Sequence, residues 1–485
     1  MIKILRRVTF FIFLAVFLIG APKIVFYALG YSYGLGSDKL IKTGLIYLST
    51  TPPGATVYVG GRRYQEPTPA IIRDLLPGHY PIRISLKDHE VWSRNVPVEA
   101  AKASVLGKIL LYPKKPAWRT RVSGRFEDFI AIPDTRYILL RETRALSSIQ
   151  VYDWKEKEME PLFPENSAPE GRLSKIYFLP SSTHVLIRAD ENGHPLWVWV
   201  DLSKEGKSRF IRLESFPEQA EKMMWSEKEP RYLFLFEKNQ IQRFDTEKMT
   251  MSLFSDQARG YGIHEKKVFI LNQENRFFRT DLLGRFRKAL SKDTDYMKTL
   301  FGEKGFFEIQ PLANSSLFFL GEDGRLVSNQ KNSPLVEEGA LGFHFDKKSH
   351  KVVVWKKDAL GIVEFFKEKK QAGGYVQRAK VEWVLKHAEN IQRAFWAHDS
   401  AYIVFQDKNR VYLLELETFG SPAVFEILET KAPNQIFYTD DLGELFYLDK
   451  KTGDLMSLEL IPKWKVLEIP FSVLQEKEKE GKTAA

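Results

Sequence analysis

The chain has 485 residues, more than one hydrophobic core organises, so two or more domains are expected. Hydrophobic residues at 44% and charged residues at 28% exclude an extended disordered chain, and the lack of cysteine excludes disulfides, thiolate nucleophiles and cysteine metal sites. The formal net charge is +10, but Lys and Arg alternate with Asp and Glu, which describes solvated faces; attraction to an acidic glycan, lipid headgroups or nucleic acid is the lesser reading.

Residues 1–7 read as a cytoplasmic basic tail carrying Lys3, Arg6 and Arg7. An apolar run from Val8 to Ala21 and a second from Ile24 to Leu29 flank Pro22 and Lys23. Joined, 8–29 exceeds the roughly 20 residues that cross a hydrocarbon layer and predicts a transmembrane helix. Lys3, Arg6 and Arg7 place the N-terminus inside and the bulk of the chain outside the cytoplasm. A cleaved signal peptide is the competing reading, but Ile19-Gly20-Ala21 is a poor cleavage site. Residues 30–43 read as a linker.

From Gly44 the texture changes to short alternating runs broken by turn formers. Leu45 to Ser49, the bend Thr51-Pro52-Pro53-Gly54-Ala55 and Thr56 to Val59 before Gly60-Gly61 read as strand, bend, strand and turn. Thr68-Pro69 precedes Ala70 to Ile72, and Pro77-Gly78-His79-Tyr80 turns into a strand through Ile82, Ile84 and Leu86. Val91 to Val98 and Val105 to Tyr112 complete the set. This succession resembles the PEGA domain, on Pro53, Gly54, Ala55, Thr68, Pro69, Pro77, Gly78 and Tyr80. It departs at Pro53, where the family name has Glu, and at His89-Glu90, where Gly-Tyr is common. The resemblance covers about a seventh of the chain, 44–113, and implies a small surface β-sandwich without catalytic residues.

Beyond Lys114-Lys115-Pro116 a loose repeat sets in: strand, small turn, strand, turn, then an apolar strand ending in Asp. Phe129 to Asp134, Tyr137 to Leu140 and Ile149 to Asp153 form one copy; Ile176 to Pro180, Val185 to Ile187 and Leu196 to Asp201 form the next. Later copies centre on Tyr232 to Phe236, Val268 to Leu271, Leu317 to Leu320, Val352 to Trp355, Tyr402 to Phe405 and Leu445 to Asp449. The spacing, typically in the forties, resembles β-propeller repeats, and seven or eight four-stranded blades fit within 117–470. A β-sandwich array or a β-solenoid stays open. Trp197, Trp199, Trp225, Trp355, Trp383 and Trp396 read as packing between blades.

Catalytic patterns fail on context. Gly30-Tyr31-Ser32-Tyr33-Gly34 has the spacing of a nucleophile elbow but no strand-to-helix turn. Gly481-Lys482-Thr483 has Glu476 where a phosphate loop needs its first Gly, and Asp190-Glu191-Asn192-Gly193 lacks the later ligands of a calcium loop. Residues 471–485, rich in Glu and Lys, read as a disordered tail. The expectation is therefore all-β: an N-terminal transmembrane helix, a PEGA-like sandwich and a propeller. It describes a single-pass, extracytoplasmic envelope protein that binds a protein or polysaccharide. No catalytic residue, metal, cofactor or nucleic acid is expected, and the oligomeric state is left open. A hydrolase or lyase acting on envelope glycans is the alternative.

Overall fold

Apolar and polar residues alternate over short runs between turn formers, and the computed structural model is accordingly strand almost throughout. It describes residues 9–10, 12–18, 20–21, 25, 30–33 and 40–462, apart from 165–166, 206–208, 215, 218–221, 291–299, 303–304, 312–316, 330–335, 347–348, 370–374, 417–418, 420–422 and 432–435. Lys3, Arg6, Arg7 and the tail 471–485 lie outside the described residues.

The predicted membrane anchor is corrected. Helix is present at 9–10, 12–18, 20–21 and 25. Among the described residues no helix is long and apolar enough to cross a membrane. This overturns the single-pass anchor over 8–29 and, with it, the assignment of a cytoplasmic N-terminus and an extracytoplasmic bulk.

Contacts divide the chain into two compact units. One comprises Met1–Ala117, Leu416–Ala423 and Glu459–Ala485, and the other Trp118–Glu415 and Val424–Leu458. In the first, Gly44–Thr51 alternates strictly between buried and half-buried residues, as period 2 requires. It pairs antiparallel with Ala70–Leu75 and parallel with Ala103–Leu110. A second sheet runs in the order Arg62–Arg63, Thr56–Val59, Gly78–Ser85, Trp92–Val98. Ile46, Leu48, Val57, Ile82, Ile84, Val96 and Leu106 are fully buried between the two sheets. Each contributes about 1.5–3 kcal/mol by leaving water.

Among the described residues the second unit holds six four-stranded antiparallel sheets and one of eight strands. The eight-stranded sheet is two meanders whose first strands, Ala258–His264 and Phe307–Pro311, pair in parallel. Eight four-stranded meanders therefore follow one another over 128–161, 172–212, 222–255, 258–289, 307–337, 342–386, 391–429 and 436–459. The last takes its outer strand from the start of the unit, Trp118–Val122, which pairs antiparallel with Leu455–Glu459. Arg121 Nε donates to Ser457 Oγ at 2.8 Å, and Arg121 and Arg119 both pair with the buried Glu444.

A sheet buries its faces only by stacking on neighbours, and the apolar clusters follow that rule. Leu139, Val151, Val185 and Val198 join the first and second meanders; Trp197, Trp199, Trp225 and Leu233 join the second and third. Further clusters join the third to the fourth, the fourth to the fifth and the fifth to the sixth. Phe129 and Ile138 of the first meander share a cluster with Phe437 and Phe446 of the last. The series is thus closed by packing as well as by pairing.

Candidate binding site

The residues singled out in the first unit form a hydrogen-bonded bend. Thr68, buried, brings its hydroxyl 2.5 Å from that of Thr50 and accepts from Ala55 N at 3.0 Å. Thr68 N donates to Ala55 O at 2.9 Å and Gly54 N to Thr68 O at 2.7 Å. The Thr51–Pro52 and Thr68–Pro69 peptides are cis, and Gly54 has a φ of +84°. Pro53, Pro69, Pro77 and Gly78 are exposed, Ala55 is buried, and Tyr80 donates its hydroxyl to Leu76 O at 2.9 Å. The structure thus brings Gly54, Ala55 and Thr68 together, while Pro77, Gly78 and Tyr80 shape a separate turn. These contacts hold a bend; they include no reactive group.

In an antiparallel meander the first and third turns share one end, and in the second unit that end is laced shut. Ser181 donates to Asp134 Oδ2 at 2.9 Å, Trp225 Nε1 to Ser182 Oγ at 2.9 Å, and Ser226 Oγ to Glu265 O. Ser400 joins Ser349 and Asp346 in the same way, across a turn in which His398, Asp399 and Ser400 all have φ of 50–61°. In the third turns, Asp153, Asp201, Asp245 and Asp281 each accept from backbone N–H groups two to four residues on. The Arg231 guanidinium, bonded to both Asp245 oxygens at 2.9 and 2.7 Å, holds that carboxyl below its usual range.

First strands of the meanders carry ionisable groups of both signs. Glu308 touches solvent, but crowding by protein pushes its pKa up, with the Lys222 ammonium opposing the shift. Burial pulls the Arg393 guanidinium down, with Asp128 opposing. Lys222, which opposes the shift of Glu308, also pairs with Glu322 at 3.5 Å, so one cation serves two carboxylates there. Among the described residues no group of three or more His, Asp or Glu is placed to hold a metal ion.

The opposite end carries the second turns and the connections between meanders, and there a cleft of about 670 Å³ opens. Gly124, Arg125, Lys431, Lys451, Thr452 and Asp454 line it. Gly124 N donates to Asp454 Oδ1 at 2.9 Å, Phe126 N to Gly453 O at 3.2 Å, and Lys431 Nζ to Phe126 O at 3.1 Å. Asp449 accepts from Lys451 N and Thr452 N, both at 2.8 Å, and those bonds hold its carboxyl low. Sequence reasoning missed this cleft because its parts come from positions more than three hundred residues apart. The signal visible in the sequence is Lys450-Lys451-Thr452-Gly453-Asp454, two cations at a glycine turn.

An all-β chain with a small sandwich and a propeller-like body is the class these observations define. Residues 43–108 match the PEGA domain model. No curated protein matches the chain. Among solved structures, the β-propeller domain of Cps50 (Swd1) from Myceliophteria thermophila aligns at 13% identity and a TM-score of 0.36, covering 61% of this chain and 98% of its own. Hsv2 of Kluyveromyces lactis aligns at 10% identity and 0.38, covering 63% and 98%. YCF48 of Cyanidioschyzon merolae aligns at 12% identity and 0.37, covering 70% and 98%. At such TM-scores these likenesses carry no argument, and the propeller-like description rests on the strand pairing.

Proposed function

We propose that this chain is a non-enzymatic scaffold that holds a protein or polysaccharide partner on a PEGA-like module, 44–113, and an eight-bladed propeller within 117–470. The observation that carries the reading is the closed series of meanders, with Trp118–Val122 completing the sheet of Leu455–Glu459. Closure protects strand edges, fixes the body and leaves its loops as the variable surface, an arrangement suited to display. The PEGA match over 43–108 adds a domain whose motif residues make turns and not a reactive centre. Propeller architecture serves enzymes as well as binders, so the test must be functional. Crosslinking of the full-length protein in its native cells identifies partners, which are then rebound in purified form. A partner held equally well by a chain lacking 117–470 would remove the propeller from the reading. Release of cleaved glycan by the purified protein would replace the scaffold with an enzyme.

A further inference from the structure

Three cations, Arg125, Lys431 and Lys451, line the cleft at the closing sheet; the Lys451 charge helps to hold the Asp449 carboxyl low, while among the described residues Arg125 and Lys431 make no ion pair with a carboxylate. Neighbouring Lys450, by contrast, is neutralised by Glu429 at 2.8 Å. Lys431 spends one N–H on a neutral carbonyl, Phe126 O, which leaves its charge without a carboxylate partner among the described residues. Asp454 gives one oxygen to Gly124 N and has the other left to accept.

The backbone around the cations is held in place. Asp449 anchors the turn through Lys451 N and Thr452 N, and Phe126 N ties the facing loop to Gly453 O. Gly453 has a φ of +80°, and a side chain there would start 3.1 Å from Phe126 O, so glycine permits this close approach. An open, shallow site with cations along its lining favours an anion, and its size suits a short stretch of a larger ligand.

The lining also discriminates among anions. Among the described lining residues there is no aromatic ring for base stacking, the feature through which single-stranded nucleic acid is commonly held. Asp454 repels a ligand that is only phosphate, but accepts a hydrogen bond from a hydroxyl. Anionic groups beside free hydroxyls are the chemistry of acidic sugars.

We propose that this cleft binds a segment of an acidic polysaccharide, with Arg125, Lys431 and Lys451 taking its carboxylate or phosphodiester groups and Asp454 a sugar hydroxyl. The inference rests on the scaffold reading and names the chemical class of the partner. It also assigns the binding face: the end of the propeller opposite the laced turns.

Titration of the full-length protein with polygalacturonate, a phosphodiester-bearing mannan and neutral dextran tests it. At least one acidic polymer binds saturably and dextran does not; which one binds identifies the anionic group. The double variant Arg125→Gln, Lys451→Gln loses about tenfold or more in affinity at unchanged unfolding temperature, while Lys238→Gln, Lys266→Gln, an equal change of charge elsewhere, loses less than about twofold. Equal losses in the two doubles, wild-type binding by the first, or binding of neither acidic polymer overturns the assignment. In any of these cases, a protein partner still captured by the wild-type chain leaves the scaffold reading intact. Capture of no partner of any kind removes both.

Discussion

Replacement of Gly262 by alanine tests the junction between the fourth and fifth meanders directly. A Cβ on Gly262 would lie 1.8 Å from Ile309 O and 2.7 Å from Ile309 C; on Gly260 it would lie 2.6 Å from Phe307 O. Ordinary contact begins near 3.4 Å, so the two parallel strands must part by about 1.6 Å. Parallel strands sit about 4.8 Å apart, and an N–H···O bond stretched by that much is lost. The pairs Gly260↔Phe307 and Tyr261↔Glu308 then open. Overpacking of this kind costs about 1–3 kcal/mol, and the lost pairing adds to it, while alanine restricts the unfolded chain in compensation by less than about 1 kcal/mol. A net loss of about 3 kcal/mol corresponds to a fall of about 4 °C in a body of this size. Scanning calorimetry of the full chain reads it, with Gly107→Ala as control, since a Cβ there meets its nearest atoms at 3.9 Å. A Gly262→Ala chain melting within a degree of wild type would refute the argument that glycine is required for this parallel approach.

Thr68→Val keeps shape but strips the hydroxyl from Thr50 and Ala55 N, leaving buried polar groups unmatched; urea unfolding should show a loss of about 2 kcal/mol. Glu444→Leu leaves the Arg121 guanidinium largely buried and unpaired and should cost about 3 kcal/mol, while Arg121→Met with Glu444→Leu should cost less than the two single changes together, as read by a double-mutant cycle. Asp245 and Asp449 titrate below the usual carboxylate range in the folded chain, so their contribution is present above the unfolded value of about 3.9 and is lost as pH falls through the lower folded values. Unfolding temperature should therefore hold near neutrality and drop below about pH 4, and Asp245→Asn should flatten that drop; an unchanged acid limb would count against the Arg231 pairing.

Much of the fold was legible because it is written in period 2 and in turn chemistry. Pro53-Gly54-Ala55, Thr68-Pro69 and Pro77-Gly78 mark real bends, and the Asp closing an apolar strand recurs as a side chain that caps the third turn. Trp197, Trp199 and Trp225 fall where packing was expected, between two sheets. The N-terminal run misled because hydropathy counts apolar residues alone, and among the described residues no helix is long and apolar enough to cross a membrane. The strand Ala258–His264 escaped notice because Gly260 and Gly262 dilute its pattern; those glycines serve a parallel neighbour that no local signal announces. The same holds for the cleft: Arg125 and Lys451 look like solvated charges until pairing of the unit's two ends sets them side by side.

That pairing also dictates an order of events during synthesis. Arg121 and Ser457, partners in the closing sheet, are 336 residues apart. At about 5–20 residues per second, the ribosome takes on the order of half a minute to supply the second after the first. Throughout that interval the strand Trp118–Val122 waits with both edges unsatisfied, and a bare edge invites other chains. Arg119 and Arg121, destined for Glu444, meanwhile place two positive charges on that edge. The residues that join the unit's two ends thus also put charge on a strand whose partner is made last.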